Sequence, residues 1–181
     1  MIRHGNLHKG QSTDTKSVDE LRTNYQTLKA GLKAYEDYME SLIPADKELK
    51  DLKGVAFDAQ TYYLVQRFYT FGLTVGIILG CVLSAFDTED TELTSDMNSF
   101  ADGIMVLAEL SKMFKPLGSS YMQLCFQAAW VGTTDPSVKA LAEKEMIEYL
   151  ADFETGYTVE RLLSELERVS RHLRLIDPYT K

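Results

Sequence analysis

The sequence predicts an all-α fold, a single-domain bundle of about six helices around two central apolar ones. Three observations predict it. Apolar residues recur at spacings of three and four along most of the chain, the period of a helix with one buried face. Only four prolines and 11 glycines interrupt long stretches, and no convincing strand pattern occurs between them. At 181 residues, 45% hydrophobic and 25% charged, the chain is large enough to bury one core without disulfides or metals. The expected organisation is a flexible tail over 1–16, one helical domain over 17–177 and a short tail over 178–181.

Ser17 and Glu20 form an S-x-x-E capping box, which predicts the start of the first helix there. Val18, Leu21, Tyr25, Leu28, Leu32, Tyr35, Met39 and Leu42 then form its apolar stripe, which ends before Pro44. The polar segment 45–54 reads as a loop. A second helix is expected over about 57–86. Its stretch from Phe68 to Phe86 runs 19 residues without a charge, and Gly72, Gly76 and Gly80 repeat every four. Two explanations compete. A membrane span needs about 20 apolar residues, and small residues spaced four apart let membrane helices approach. A helix at the centre of a bundle is apolar all round because neighbours cover every side. Interruption by Thr70, Thr74 and Ser84 favours the central helix, with the glycines admitting a neighbour's backbone.

Asp87 to Glu92 is an acidic connector. Glu92 and Asn98 occupy the places where a calcium loop needs glycine and glutamate, so a solvated stretch that caps the next helix is expected. That third helix runs over about 95–115, with Met97, Phe100, Ile104, Leu107 and Ala108 on one face, and stops before Pro116. The fourth, Ser120 to Val131, carries no charge and is the second candidate for the buried centre; Gly132 ends it. Asp135 followed by Pro136 is a strong start for the fifth helix, with Val138, Leu141, Ala142, Ile147 and Leu150 inward. Thr158 caps the sixth, whose stripe is Val159, Leu162, Leu163, Leu166, Val169 and Leu173.

The formal net charge of −8 and the lack of a Lys/Arg block oppose direct binding of nucleic acid, which rests on neutralising phosphates. Cys81 and Cys125, each in an apolar stretch, fit reduced thiols of the nucleus or cytoplasm rather than a disulfide framework. The first 16 residues lack the apolar run of a signal peptide.

The sequence carries no recognisable catalytic constellation. Nucleophile elbows, Walker loops and dinucleotide fingerprints do not occur in a strand-to-helix context. Glu167 and His172 are five apart and point to different faces, unlike the Glu-x-x-His pairs of di-iron bundles. Glu143, Glu145 and Glu148 with Lys139 and Lys144 read as a solvated charged face. The expected catalytic residues, metal ligands and cofactors are therefore none. The aromatic cluster Tyr62, Tyr63, Phe68, Tyr69 and Phe71, with Trp130, is the candidate lining of an apolar pocket; the plainer account is core.

One family resemblance rests on four stretches: FGLTVGIILGCVLSAFD (Phe71 to Asp87), FADGIMVLAEL (Phe100 to Leu110), KPLGSSYMQLCFQAAWVGTTDPSVKALAE (Lys115 to Glu143) and EYLADF (Glu148 to Phe153). In this order they resemble the C-terminal part of the all-helical regulatory region of fungal binuclear zinc cluster (Zn2Cys6) transcription factors. A looser similarity extends back over Leu21 to Leu32. The resemblance implies a nuclear regulator of metabolic or secondary-metabolite genes, with this part modulating activity. The family's six-cysteine cluster and basic linker are absent here, so it implies a fragment, a truncated regulator or a domain reused for binding.

The function expected is a non-catalytic regulatory domain that binds a protein partner or a small-molecule effector, without a membrane and with its oligomeric state open. Its rivals are a small helical enzyme, a ligand-binding protein with an apolar aromatic pocket, and a membrane-associated protein using Phe68 to Phe86. The first expectation carries two corollaries: no deep polar cleft holding two or more titratable side chains, and a buried Gly76.

Overall fold

The computed structural model describes residues 7–42, 59–112, 115, 120–151 and 158–175, with side chains described from Lys16 in the first helix, from Gln60 in the second and to Arg171 in the last. Among these residues six helices follow one another: α1 (Leu7–Ser41), α2 (Ala59–Ser84), α3 (Thr91–Ser111), α4 (Met122–Gly132), α5 (Pro136–Ala151) and α6 (Val159–Leu175). Among the described residues there is no strand. The fold is all-α, as the sequence predicts. The loop expected over 45–54 and the Pro-Leu-Gly turn at 116–118 lie outside the described residues.

α1 begins at Leu7 rather than at Ser17. No proline intervenes, and a helix already nucleated propagates through polar residues, so the capping-box sequence lies inside the helix. Three later starts match the chemistry of their caps, whereas Tyr121 precedes α4 without a side-chain cap, and α3 begins at Thr91 rather than near Ser95. Asp90 precedes α3 and its side chain accepts the Leu93 N–H at 3.1 Å. Asp135 Oδ1 accepts the Ser137 N–H at 2.7 Å, and Thr158 Oγ1 accepts the Arg161 N–H at 3.3 Å. Each supplies an acceptor to an N–H that the helix itself leaves unpaired.

α2 lies at the centre, packed by α1, α3, α4 and α6. Its glycines are where neighbours come close. A Cβ on Gly72 would meet Leu32 Cδ2 of α1 at 2.5 Å, one on Gly76 would meet Phe100 of α3 at 2.7 Å, and one on Gly80 would meet Met97 Cγ at 2.7 Å. Gly132, at the end of α4, is held against Ile77 of α2 in the same way. There the glycine serves close approach, not only helix termination. The main core gathers Leu73, Ile77, Ile104, Met122, Phe126 and Met146 among others, and Tyr25, Leu83 and Leu93 form a smaller cluster at the α1–α3 end. Phe126 meets Tyr149 edge-on at 5.1 Å, a favourable geometry for rings of opposite edge and face charge. Thr70 and Thr74, buried in this apolar helix, hydrogen-bond back to the carbonyls of Gln66 and Thr70 at 2.7 and 2.9 Å, so their hydroxyls need no outside partner.

Three sequence expectations about faces are corrected. Neighbours do not cover every side of α2: Leu64, Phe68, Val75 and Ile78 are exposed. In α5 the buried residues are Ala142, Glu145, Met146 and Tyr149, while Leu141 and Ile147 face outward. Apolar residues lie on both sides of this helix, and contact with α3 and α4 decides between them. Tyr35 of α1 and Val169 of α6 also lie exposed despite their stripe positions, because the buried line runs beside them, through Leu32 and Met39 in α1 and through Leu166 and Ser170 in α6.

Candidate functional site

The outward face of α2 carries a row of six apolar residues: Leu64, Phe68, Phe71, Val75, Ile78 and Val82. Their spacing alternates four and three, so they form one straight seam along the helix, as a and d positions of a heptad do. The residues between them, Gln66, Leu73 and Gly80, then Gly76 and Leu83, turn to the core. Phe68 is 62% exposed, and Leu64, Val75 and Ile78 are 43%, 44% and 47% exposed; Phe71 and Val82 are half-buried. α1 and α4 flank the seam without closing over it. On the α4 side the Phe71 and Tyr121 rings pack at 5.3 Å, and the Arg67 guanidinium lies 5.9 and 5.4 Å from the two ring centres. Leu124, one turn beyond Tyr121, is 50% exposed and extends the patch. Monomeric proteins seldom leave a continuous apolar patch of this kind without a use for it.

The candidate pocket residues are not brought together. Tyr62 is buried in the core, Tyr63 and Tyr69 are half-buried, Phe68 stands on the outer seam, and Phe71 stacks on Tyr121. Trp130 lies buried at the far end of α4, where its Nε1–H donates to Glu143 at 2.7 Å and Lys139 Nζ sits 4.7 Å over its ring. Burial raises the phenol pKa of Tyr62 and of Tyr69.

Titratable groups do converge at the α1–α3 junction. An open groove of about 630 Å³ is lined by Arg22, Tyr25, Asp90, Glu92 and Asp96 with Leu83 and Leu93. This departs from the corollary of an absent polar cleft, although the opening is wide and its groups are engaged with one another. Arg22 donates to Asp90 at 3.0 Å and to Asp87 at 2.9 Å; Lys29 pairs with Asp96 at 2.5 Å and Glu92 at 3.1 Å. The acidic connector is thus a clasp for α1 as well as a cap. The Leu93 N–H and the Arg22 guanidinium hold the Asp90 carboxyl below the usual range. Burial, with Asp96 beside it, pushes the Tyr25 hydroxyl well above its ordinary value; that hydroxyl donates to Asp96 at 3.1 Å. A second opening of about 260 Å³ is lined by Cys81, Ser84, Thr88, Thr94, Met97, Thr134 and Ser170.

Two buried polar sites escaped the sequence. Glu145, assigned to a solvated face, is 1% exposed and receives Lys112 Nζ at 2.9 Å; its second oxygen has no hydrogen-bond partner among the described residues. Gln66 is fully buried and donates to the Leu107 carbonyl at 3.2 Å and to Ser111 Oγ at 3.0 Å. Their signal was faint: each falls on the buried period of its helix, but a lone polar residue there does not announce its partner. Cys125 is buried, and burial pushes its thiol up to about 11, so it is not poised as a nucleophile. Cys81 Sγ lies 3.7 Å from Met97 Sδ. The His172 side chain lies outside the described residues.

No family model matches the chain, and neither a curated protein nor a solved structure matches it.

Proposed function

We propose that this chain is a non-catalytic regulatory domain that binds a protein partner through the outward seam of α2. The observation that carries the proposal is the exposure of Leu64, Phe68, Val75 and Ile78 in one row, on a helix whose opposite face is core. Arg67 and the Phe71–Tyr121 pair at its edge are of the types that dominate protein interfaces. The resemblance to fungal zinc cluster regulators extends the proposal to transcriptional control, in the nucleus or cytoplasm, with DNA read by another polypeptide or segment. The acidic balance of −8 suits such a division of labour.

The test places a photo-crosslinking benzoylphenylalanine at Val75 of the full chain in cells, with Glu167, on the exposed side of α6, as the control position. The expected result is an adduct of one discrete mass, identified as a specific polypeptide, from position 75 alone and lost with Phe68→Glu. Equal labelling from both positions, or adducts only with lipid, would sink the proposal.

A second function, ligand binding or catalysis, draws on the groove shared by Arg22, Tyr25, Asp90 and Asp96. It predicts that Asp96→Asn abolishes an activity that Phe68→Glu leaves intact. The ion pairs that already occupy these groups favour a structural clasp.

A further inference from the structure

We propose, resting on the partner-binding function above, that the partner of the seam is a second copy of this chain, the two α2 helices lying antiparallel about a two-fold axis between Phe71 and Val75. The seam is graded in size. Its N-terminal half carries Leu64, Phe68 and Phe71, and its C-terminal half the smaller, β-branched Val75, Ile78 and Val82. Antiparallel pairing sets Leu64 against Val82, Phe68 against Ile78 and Phe71 against Val75, so every large side chain meets a smaller one. Parallel pairing would set ring on ring at one end and leave gaps between valines at the other. A two-fold interface must be self-complementary, and this gradient makes it so in one direction only.

Charge selects the same direction. Arg67 is the one charged residue between Gln60 and Ser84. Antiparallel pairing puts the two guanidiniums at opposite ends, opposite Leu79 and about 18 Å apart along the axis; parallel pairing would bring them face to face. Each stays stacked on its own Phe71 and Tyr121 rings with its head at the rim. The seam spans about 28 Å. Its exposed side chains offer on the order of 400 Å² of apolar surface per copy, and Leu124 and the stem of Arg67 at the rim bring the patch toward the roughly 800 Å² per partner of a specific interface. That is the low end, and a reversible dimer follows.

Sedimentation velocity of the full chain, from about 1 to about 200 µM, is the experiment. A dimer with a dissociation constant on the order of 10 µM is expected. Phe68→Glu alone and Ile78→Lys alone each weaken it by at least ~30-fold. Both changes in one chain restore it to within ~5-fold, because the new carboxylate of one copy faces the new ammonium of the other. Circular dichroism melts in dilute solution check that the variants fold, and the facing pair Leu64→Glu and Val82→Lys replaces this pair if either does not. A wild-type chain that stays monomeric, single variants without effect, a double variant that does not recover, or flotation with phosphatidylcholine vesicles in place of dimerisation would each overturn the proposal. If the chain is monomeric and position 75 still crosslinks to a different polypeptide, the dimer falls and the partner-binding function stands. Without that adduct, both fall.

Discussion

Gly76→Ala isolates how tightly α2 is held against α3. The added Cβ would lie 2.7 Å from Phe100 Cε2 and 2.9 Å from Cδ2, so the ring must move. It has little room, because it packs between both core clusters and leans on Tyr25 with ring centres 6.4 Å apart. In a helix interior alanine is favoured over glycine by about 1 kcal/mol, whereas overpacking a core costs about 1–3 kcal/mol. The net expectation is a loss of up to about 2 kcal/mol. Gly31→Ala supplies the missing reference, since no described residue lies within 4 Å of the Cβ it would add; it should gain the propensity term alone, about 1 kcal/mol. Gly72→Ala falls between them, because the obstacle is Leu32 Cδ2, the far end of a flexible side chain. Urea unfolding midpoints at a common slope measure all three. Combining Gly76→Ala with Phe100→Leu should recover part of the loss, a coupling of about 1 kcal/mol. Gly76→Leu, larger again, should cost at least about 3 kcal/mol. If Gly76→Ala gains as much as Gly31→Ala and couples to Phe100 by less than about 0.3 kcal/mol, the close approach is refuted.

Two further outcomes are expected. Lys112→Met leaves the buried Glu145 carboxylate without the ammonium 2.9 Å away, and urea unfolding should show a loss of about 3 kcal/mol; Glu145→Leu with Lys112→Met should recover most of it, and a neutral single variant would show the pair to be idle. At the α1–α3 clasp, Asp90 titrates lower in the folded chain than its ordinary 3.8. A depressed carboxyl contributes stability that is fully present above that ordinary value and lost as pH falls through the folded one. Asp90→Ala should therefore cost about 1–2 kcal/mol at neutral pH, with the gap to wild type closing below about pH 4, whereas Asp90→Asn, which keeps an N-cap acceptor, should cost less. Thermal melts from neutral to acid pH check it; a gap that widens toward acid would reverse the sign and refute it.

Most of the helices were legible because their boundary chemistry is local. Asp135–Pro136 and Thr158 act as caps within three residues of themselves, and the charge-free run of α4 reported centrality, as that of α2 did for its inner face alone. What was not legible is non-local. Buried Glu145 is met by Lys112 from the end of α3, 33 residues away in the chain, and no spacing within α5 encodes that. The face of α5 was ambiguous for the same reason: Leu141 and Ile147 are as apolar as Ala142 and Met146, and only the position of α3 and α4 chooses. Of the candidate pocket, the aromatic residues were legible and their dispersal over different faces was not. Phe68 and Tyr62 are six residues apart, and α2 turns one out and the other in.

A helix with no charges over most of its length has three physical explanations, and α2 separates them by what each face contains. A core helix needs apolar residues where neighbours lie, and the inner face supplies them, with glycines where Leu32, Phe100 and Met97 press closest. That accounts for one face only. Lipid would accept the outer face on length and hydropathy, since Gln60–Ser84 is long and apolar enough to cross a membrane by those measures. Lipid, however, sets no register along a helix and penalises Arg67, a charge one turn from Phe71, by about 2.5–3.5 kcal/mol or more if it were carried deep into hydrocarbon. It also gives no reason for bulk to fall from Phe68 and Phe71 to Val75 and Val82 along a row spaced four and three. A facing helix accounts for all of these: the spacing is that of knobs entering holes, the arginine stays at a wet rim on its two rings, and the gradient is filled by its own reverse. The seam has the features of a protein contact, and the proposed antiparallel second copy would match it in both shape and charge.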